Sequence, residues 1–155
     1  MSAERMISEE ELLPLLQERL ALGQSVRYLP FRGVSMLPLL RQGKDSVEIS
    51  PLPERLRKYD LPVYRYPSGK IVMHRVVDVK DEHYICLGDN TYEYEKISHN
   101  QMIGLVSAIK RGDRRISVDN RWYRLYCCIW VGLFPLRRWV KYTGRKVKRL
   151  LRRSK

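Results

Sequence analysis

LPVYRYPSGKIVMHRVVDVKDEHYICLGDNTYEYEKISHNQMIGLVSAI, residues 61–109, is the stretch on which the fold turns. Within it Leu61–Tyr66, Ile71–Val79, His83–Leu87 and Met102–Ile109 are short runs rich in Val, Ile and Tyr. Runs of that length and composition, bounded by turn formers, read as strands rather than helices. The turn formers are Pro67-Ser68-Gly69 and Gly88-Asp89-Asn90, residues that supply or tolerate the backbone conformations a reversal needs. Upstream, Ser46–Ile49 is a further run set between Gly43 and Pro51, and SVRYLPFRG at 25–33 roughly alternates apolar and polar residues. Residues 25–110 are therefore predicted to form one mainly β domain.

Different modules flank it. Ser8 and Glu11 have capping-box spacing ahead of Leu12, Leu13, Leu15, Leu16 and Leu20, and Gly23 stands where a helix would stop. This predicts an N-terminal helix within 1–24, with Pro14 in its early turns. From Arg121 the chain reads RWYRLYCCIWVGLFPLRRWVKYTGRKVKRLLRRSK, aromatic and apolar first and basic afterwards. Residues 111–155 are predicted to be a separate tail with an amphipathic, basic helical segment, whose removal from 121 onward would leave the domain intact.

The chain has 155 residues and an apolar fraction of 44%, enough for one ordinary core but not two. Its formal charge of +13 is unevenly distributed: residues 1–110 hold 15 basic and 15 acidic side chains, and 111–155 hold 15 and 2. A neutral body with a cationic arm suits delivery to an anionic surface better than a body that reads phosphates itself. The apolar segment Leu125–Leu136 has 12 residues, about 18 Å as a helix against a hydrocarbon core of roughly 30 Å. With Trp122, Trp130, Trp139 and flanking arginines, it suits peripheral binding to an anionic membrane. A helix packed on the β domain is the plainer alternative. Cys86, Cys127 and Cys128 are odd in number and lack metal-ligand spacing, so neither a disulfide framework nor a metal site is expected. The N-terminal SAERMISEEELLPLLQERL lacks the basic and apolar regions of a secretory signal, so export by that route is not expected.

Three strings carry candidate chemistry: GVSMLPLL at 33–40, VMHRVV at 72–77 and LGDN at 87–90. Taken singly, each has a structural explanation: a turn serine, a packed histidine, an aspartate turn former. Together and in this order they resemble the catalytic boxes of the signal peptidase I superfamily, which includes the self-cleaving SOS repressors. Ser35, with Gly33, Met36 and Pro38 around it, matches the Gly-x-Ser-Met-x-Pro nucleophile box. His74, directly before Arg75, stands where bacterial members have lysine and the endoplasmic-reticulum and archaeal signal peptidases have histidine. Asp89 matches the acid of the Gly-Asp-Asn box. Gln42–Val47 resembles the step after the serine box, and Met102–Val106 the closing strand. The resemblance spans roughly residues 25–110 and implies a signal-peptidase-like catalytic β domain.

The chemistry suits these residue types. A serine hydroxyl becomes a useful nucleophile when a neighbour takes its proton, and an imidazole can do so near neutrality. A carboxylate on the other ring nitrogen holds the tautomer and stabilises the imidazolium. Ser35 is thus assigned as nucleophile, His74 as general base then acid, and Asp89 as the group orienting His74. The resemblance gives the Ser35 N–H the role of oxyanion donor, with Gly33 and Met36 in support of substrate and oxyanion, and no metal or other cofactor. Lys70, at the end of a predicted hairpin, and His83 and His99, outside any matched box, are weaker candidates for the base. Family members often have a second aspartate after Gly-Asp-Asn; here Glu93 or Glu95 stands in that region.

The expected partners are a precursor protein or leader peptide, bound extended against exposed strand edges, and an anionic membrane surface through the tail. The expected location is peripheral on a membrane, with the cytoplasmic face favoured. Two rivals remain open: a non-catalytic member of the fold that binds nucleic acid or membrane through the tail, and a self-cleaving regulator. Nucleic acid is the less favoured partner, and no helix-turn-helix is recognisable for a repressor-like role.

Overall fold

The computed structural model describes residues 9–30 and 32–153, with side chains described for 13–27 and 32–143. The proposed cap residue Ser8 lies outside the described residues. In chain order the elements are α1 (Glu9–Ala21), β1 (Val26–Pro30), β2 (Asp45–Ser50), β3 (Pro62–Arg65), β4 (Ile71–Met73), β5 (Arg75–Val79), β6 (His83–Leu87), β7 (Glu95–Ser98), a 3-10 turn (His99–Gln101), β8 (Met102–Arg111), β9 (Arg114–Ser117), α2 (Arg121–Gly132) and α3 (Phe134–Arg153). Among the described residues nine strands in two sheets stand against three α-helices, so the protein is mainly β as expected.

The strands form two antiparallel sheets, one ordered β1-β2-β8-β3-β4 with β9 also on β8, the other β5-β6-β7. The long run Ile71–Val79, predicted as one strand, is two. It breaks at His74, where the chain leaves the first sheet and enters the second. Two strands fell outside the predicted runs: β7, with only Ile97 buried, and β9, with no buried side chain. Without an alternating apolar pattern, only their pairing with β6 and β8 makes them strands.

Leu13, Leu16 and Leu20 recur at helical spacing and lay α1 on the first sheet. Contact is close because Gly104 has no side chain: a Cβ there would lie 2.6 Å from Ile49 Cγ2 and 2.9 Å from Leu20 Cδ1. A second core gathers Leu56, Tyr64, Val76, Tyr84, Cys86 and Ile97 around the second sheet.

The tail is not a separate module in its first part. β8 runs on to Arg111 and turns into β9, so the predicted boundary at 110 cuts a hairpin. Asn120 caps α2 by accepting the Trp122 N–H at 2.8 Å, and Tyr123 and Cys127 on α2 are buried in the first core. For α2, the packed-helix alternative describes the fold. Among the described residues, no helix is long and apolar enough to cross a membrane.

Candidate active site

Sheet register brings the three strings together. Arg75 pairs with Leu87 at the end of the β5–β6 ladder, so His74 and Gly88 are the residues that follow directly beyond it on the two strands. Gly88 in turn lies against the serine turn: a Cβ on it would sit 2.9 Å from the Ser35 carbonyl oxygen. Asn90 completes the attachment, its N–H donating to Ser35 O at 2.7 Å and its Nδ2 to Val34 O at 3.1 Å. Glycine at 88 is thus required by close approach, and Asn90 pins the turn that carries the nucleophile candidate.

The turn has its own supports. Met36 is 1% exposed within the first core, so it anchors the turn from beneath and does not line a substrate surface as expected. Gly33 has φ +102°, a backbone that favours glycine, and its N–H donates to Gln42 Oε1 at 2.9 Å. That donor is engaged within the protein, which removes Gly33 from direct oxyanion support. Ser35 itself is half-buried.

His74 is buried, and its orienting group is Glu95. His74 Nδ1 lies 2.9 Å from Glu95 Oε2 and 3.1 Å from the Tyr64 hydroxyl, which itself donates to Glu95 Oε2. A carboxylate can only accept, so the proton of a neutral ring sits on Nδ1 and the lone pair on Nε2. Nε2 is buried and has no hydrogen-bond partner among the described residues, Ser35 Oγ included. Burial raises the Glu95 pKa, but hydrogen bonds from His74, Tyr64 and Tyr66 outweigh it and hold the carboxyl at about 2. Tyr64 is pushed well above its ordinary value, first by burial and then by Glu95, and remains a neutral donor.

Asp89 does something other than orient His74. Arg75 Nε donates to its Oδ1 at 2.8 Å and Nη2 to its Oδ2 at 2.7 Å, the bidentate match of guanidinium to carboxylate. Tyr126 donates to Oδ2 at 3.3 Å, and the Asp89 carbonyl accepts from Trp130 Nε1 at 3.0 Å and Arg137 Nη1 at 2.7 Å. Arg75 Nη1 meanwhile reaches Tyr123 Oη at 3.1 Å and Cys127 Sγ at 2.8 Å. Both charged groups are almost fully buried. Asp89 therefore braces its loop through the residue next to His74, and its carboxylate is committed before it could reach the imidazole.

In comparisons with family models, with curated proteins and with solved structures, nothing matches this chain. Of the sequence candidates, Ser35, His74 and Asp89 lie on adjoining segments, while Lys70 is exposed at its hairpin end and His99 packs edge-on against Tyr84. Glu93 is exposed; Glu95, two residues on, is the one turned to His74. Tyr64 was missed, although its place in a β run between Val63 and Arg65 made an inward-facing phenol readable.

Proposed function

We propose that this protein is a serine endopeptidase of the signal peptidase type, with Ser35 as nucleophile, His74 as base and Glu95 as the carboxylate that orients it. The observation that carries the reading is the state of His74: buried, with Nδ1 held by Glu95 and Nε2 unpaired, beside a loop hydrogen-bonded to the Ser35 main chain. A structural histidine in a core usually has both nitrogens satisfied; an Nε2 with a lone pair and no donor suits a base that waits for one.

In the reaction, Ser35 Oγ attacks the carbonyl carbon of the scissile peptide as Nε2 takes the hydroxyl proton. The tetrahedral oxyanion is met by the Ser35 N–H, and on its collapse His74 gives its proton to the departing amine. Water then repeats the sequence on the acyl ester and frees Ser35. Glu95 and Tyr64 keep the ring in one tautomer throughout, and Glu95 stabilises the imidazolium. The Ser35–His74 hydrogen bond is not formed in the free enzyme, and its closing belongs to the substrate complex. β1 and β4 are edge strands of the first sheet; β1 leads toward Ser35 and β4 ends beside His74, so an extended precursor segment has strand edges to pair with on both sides. The substrate class is a precursor protein or leader peptide.

The test is labelling by a serine-reactive active-site probe, comparing wild type with Ser35→Ala, His74→Ala and Glu95→Gln. The expected result is selective labelling of Ser35, abolished in the first two variants and strongly reduced in the third. Absence of labelling under conditions that label a control serine protease overturns the proposal.

A further inference from the structure

The helical pair that braces the Asp89 loop has a second apolar face, turned to solvent. On the inner face Tyr123, Cys127, Trp130, Phe134 and Arg137 recur at helical spacing and reach the body. On the other, Trp122, Leu125, Ile129, Leu133, Leu136 and Val140 follow one another at steps of three and four residues, and each is exposed, from 42% at Leu133 to 78% at Trp122. The stripe continues across the junction of α2 and α3. Leu133 keeps a right-handed helical backbone, and its N–H donates to Ile129 O while its carbonyl accepts from Arg137 N–H. A stripe this long on a single chain marks an interaction surface.

The surroundings of the stripe select the partner. Residues 120–155 hold 12 Lys and Arg and no Asp or Glu. On α3, Phe134, Pro135, Arg138, Trp139 and Tyr142 line, with Tyr94, an open cleft of about 450 Å³. We propose that this face docks on an anionic phospholipid bilayer and lies in its interface, with the apolar stripe at the acyl boundary, Trp139 and Tyr142 at headgroup level and the cations on phosphates. A second copy of the chain would bring another 12 positive charges against the first. A polynucleotide would satisfy the cations but leave six large apolar side chains in water. Because Trp130 and Arg137 hold the Asp89 carbonyl from the same helices, the docking face is mechanically joined to the loop beside Ser35.

The test uses the full chain with vesicles of phosphatidylcholine, with or without phosphatidylserine, read by co-sedimentation and tryptophan emission. Binding to the phosphatidylserine vesicles is expected, weakening with salt and accompanied by a blue shift. Ile129→Glu combined with Leu136→Glu should lower partitioning about tenfold or more, with an unchanged melting temperature because both positions are exposed. Trp122→Glu with Leu125→Glu, further along the stripe, should act alike. Three results overturn the proposal: no sedimentation at low salt, binding that both double variants retain, or duplex DNA that displaces the protein from the vesicles. A dimer that ignores vesicles and dissociates in the variants overturns it too, in favour of self-association.

Discussion

At residue scale, two carboxylates near one histidine differ in what they hold, and substitution separates them. Glu95→Gln keeps the shape but removes the charge that fixes the His74 tautomer, so labelling or turnover is expected to fall roughly a hundredfold or more with little change in melting. Asp89→Asn strands the buried Arg75 guanidinium; it is expected to cost about 3 kcal/mol in stability by denaturant unfolding, with activity following the fold. Equal kinetic losses with equal melting would contradict this division of labour. Asp45 provides a pH dependence. Burial raises its pKa, but hydrogen bonds from Arg41 and Arg111 win and hold it at about 2, against an ordinary 3.8. A depressed folded-state value means stability that is present above the unfolded value and lost as acid is added. About 2 kcal/mol should disappear between roughly pH 4 and pH 2, and Asp45→Asn should flatten that limb of an acid-unfolding curve. Glu95 also stays ionised to about pH 2, so the carboxylate that faces His74 keeps its charge as acid is added down to that range.

At the scale of elements, two glycines mark where segments touch. At Gly88 an added methyl would meet the Ser35 carbonyl and the Thr91 side chain, both within 3 Å. Gly88→Ala is expected to displace the serine turn and abolish probe labelling, with a stability loss of about 1–3 kcal/mol. Gly104→Ala crowds Ile49 and Leu20 instead; a similar loss of stability, with per-molecule labelling retained in the folded fraction, is expected. The break at His74 belongs to this scale too. A residue within a continuous strand would be held by its own ladder, whereas one at the passage between two sheets can receive Glu95 from β7 and Tyr64 from β3.

For the whole molecule, the tail cannot be removed without reaching the site. Deleting 121–155 takes away Tyr123, Cys127, Tyr126, Trp130 and Arg137, all bonded to Arg75 or Asp89. The truncated chain is therefore expected to melt well below the full chain and to lose labelling, the reverse of what a separate module would allow. A truncation after 143 keeps every one of these contacts and is expected to label as wild type does.

What the sequence by itself determined are properties carried by local pattern. The β-rich runs between turn formers, the N-terminal helix and the cationic C-terminal region are set by spacing and composition, and the order of the three boxes pointed to Ser35 and His74. The tertiary structure alone decided which acid meets the histidine. Asp89 and Glu95 are both plausible carboxylates on paper, but Arg75 is buried, needs a bidentate partner and stands across the ladder from the Asp89 loop. Glu95 is delivered by β7, a strand that takes its form from pairing with β6 and not from its own residues. The face of α2 that packs inward was likewise undecidable from a helix apolar on both sides, because burial depends on what lies opposite, and that is a property of the folded chain.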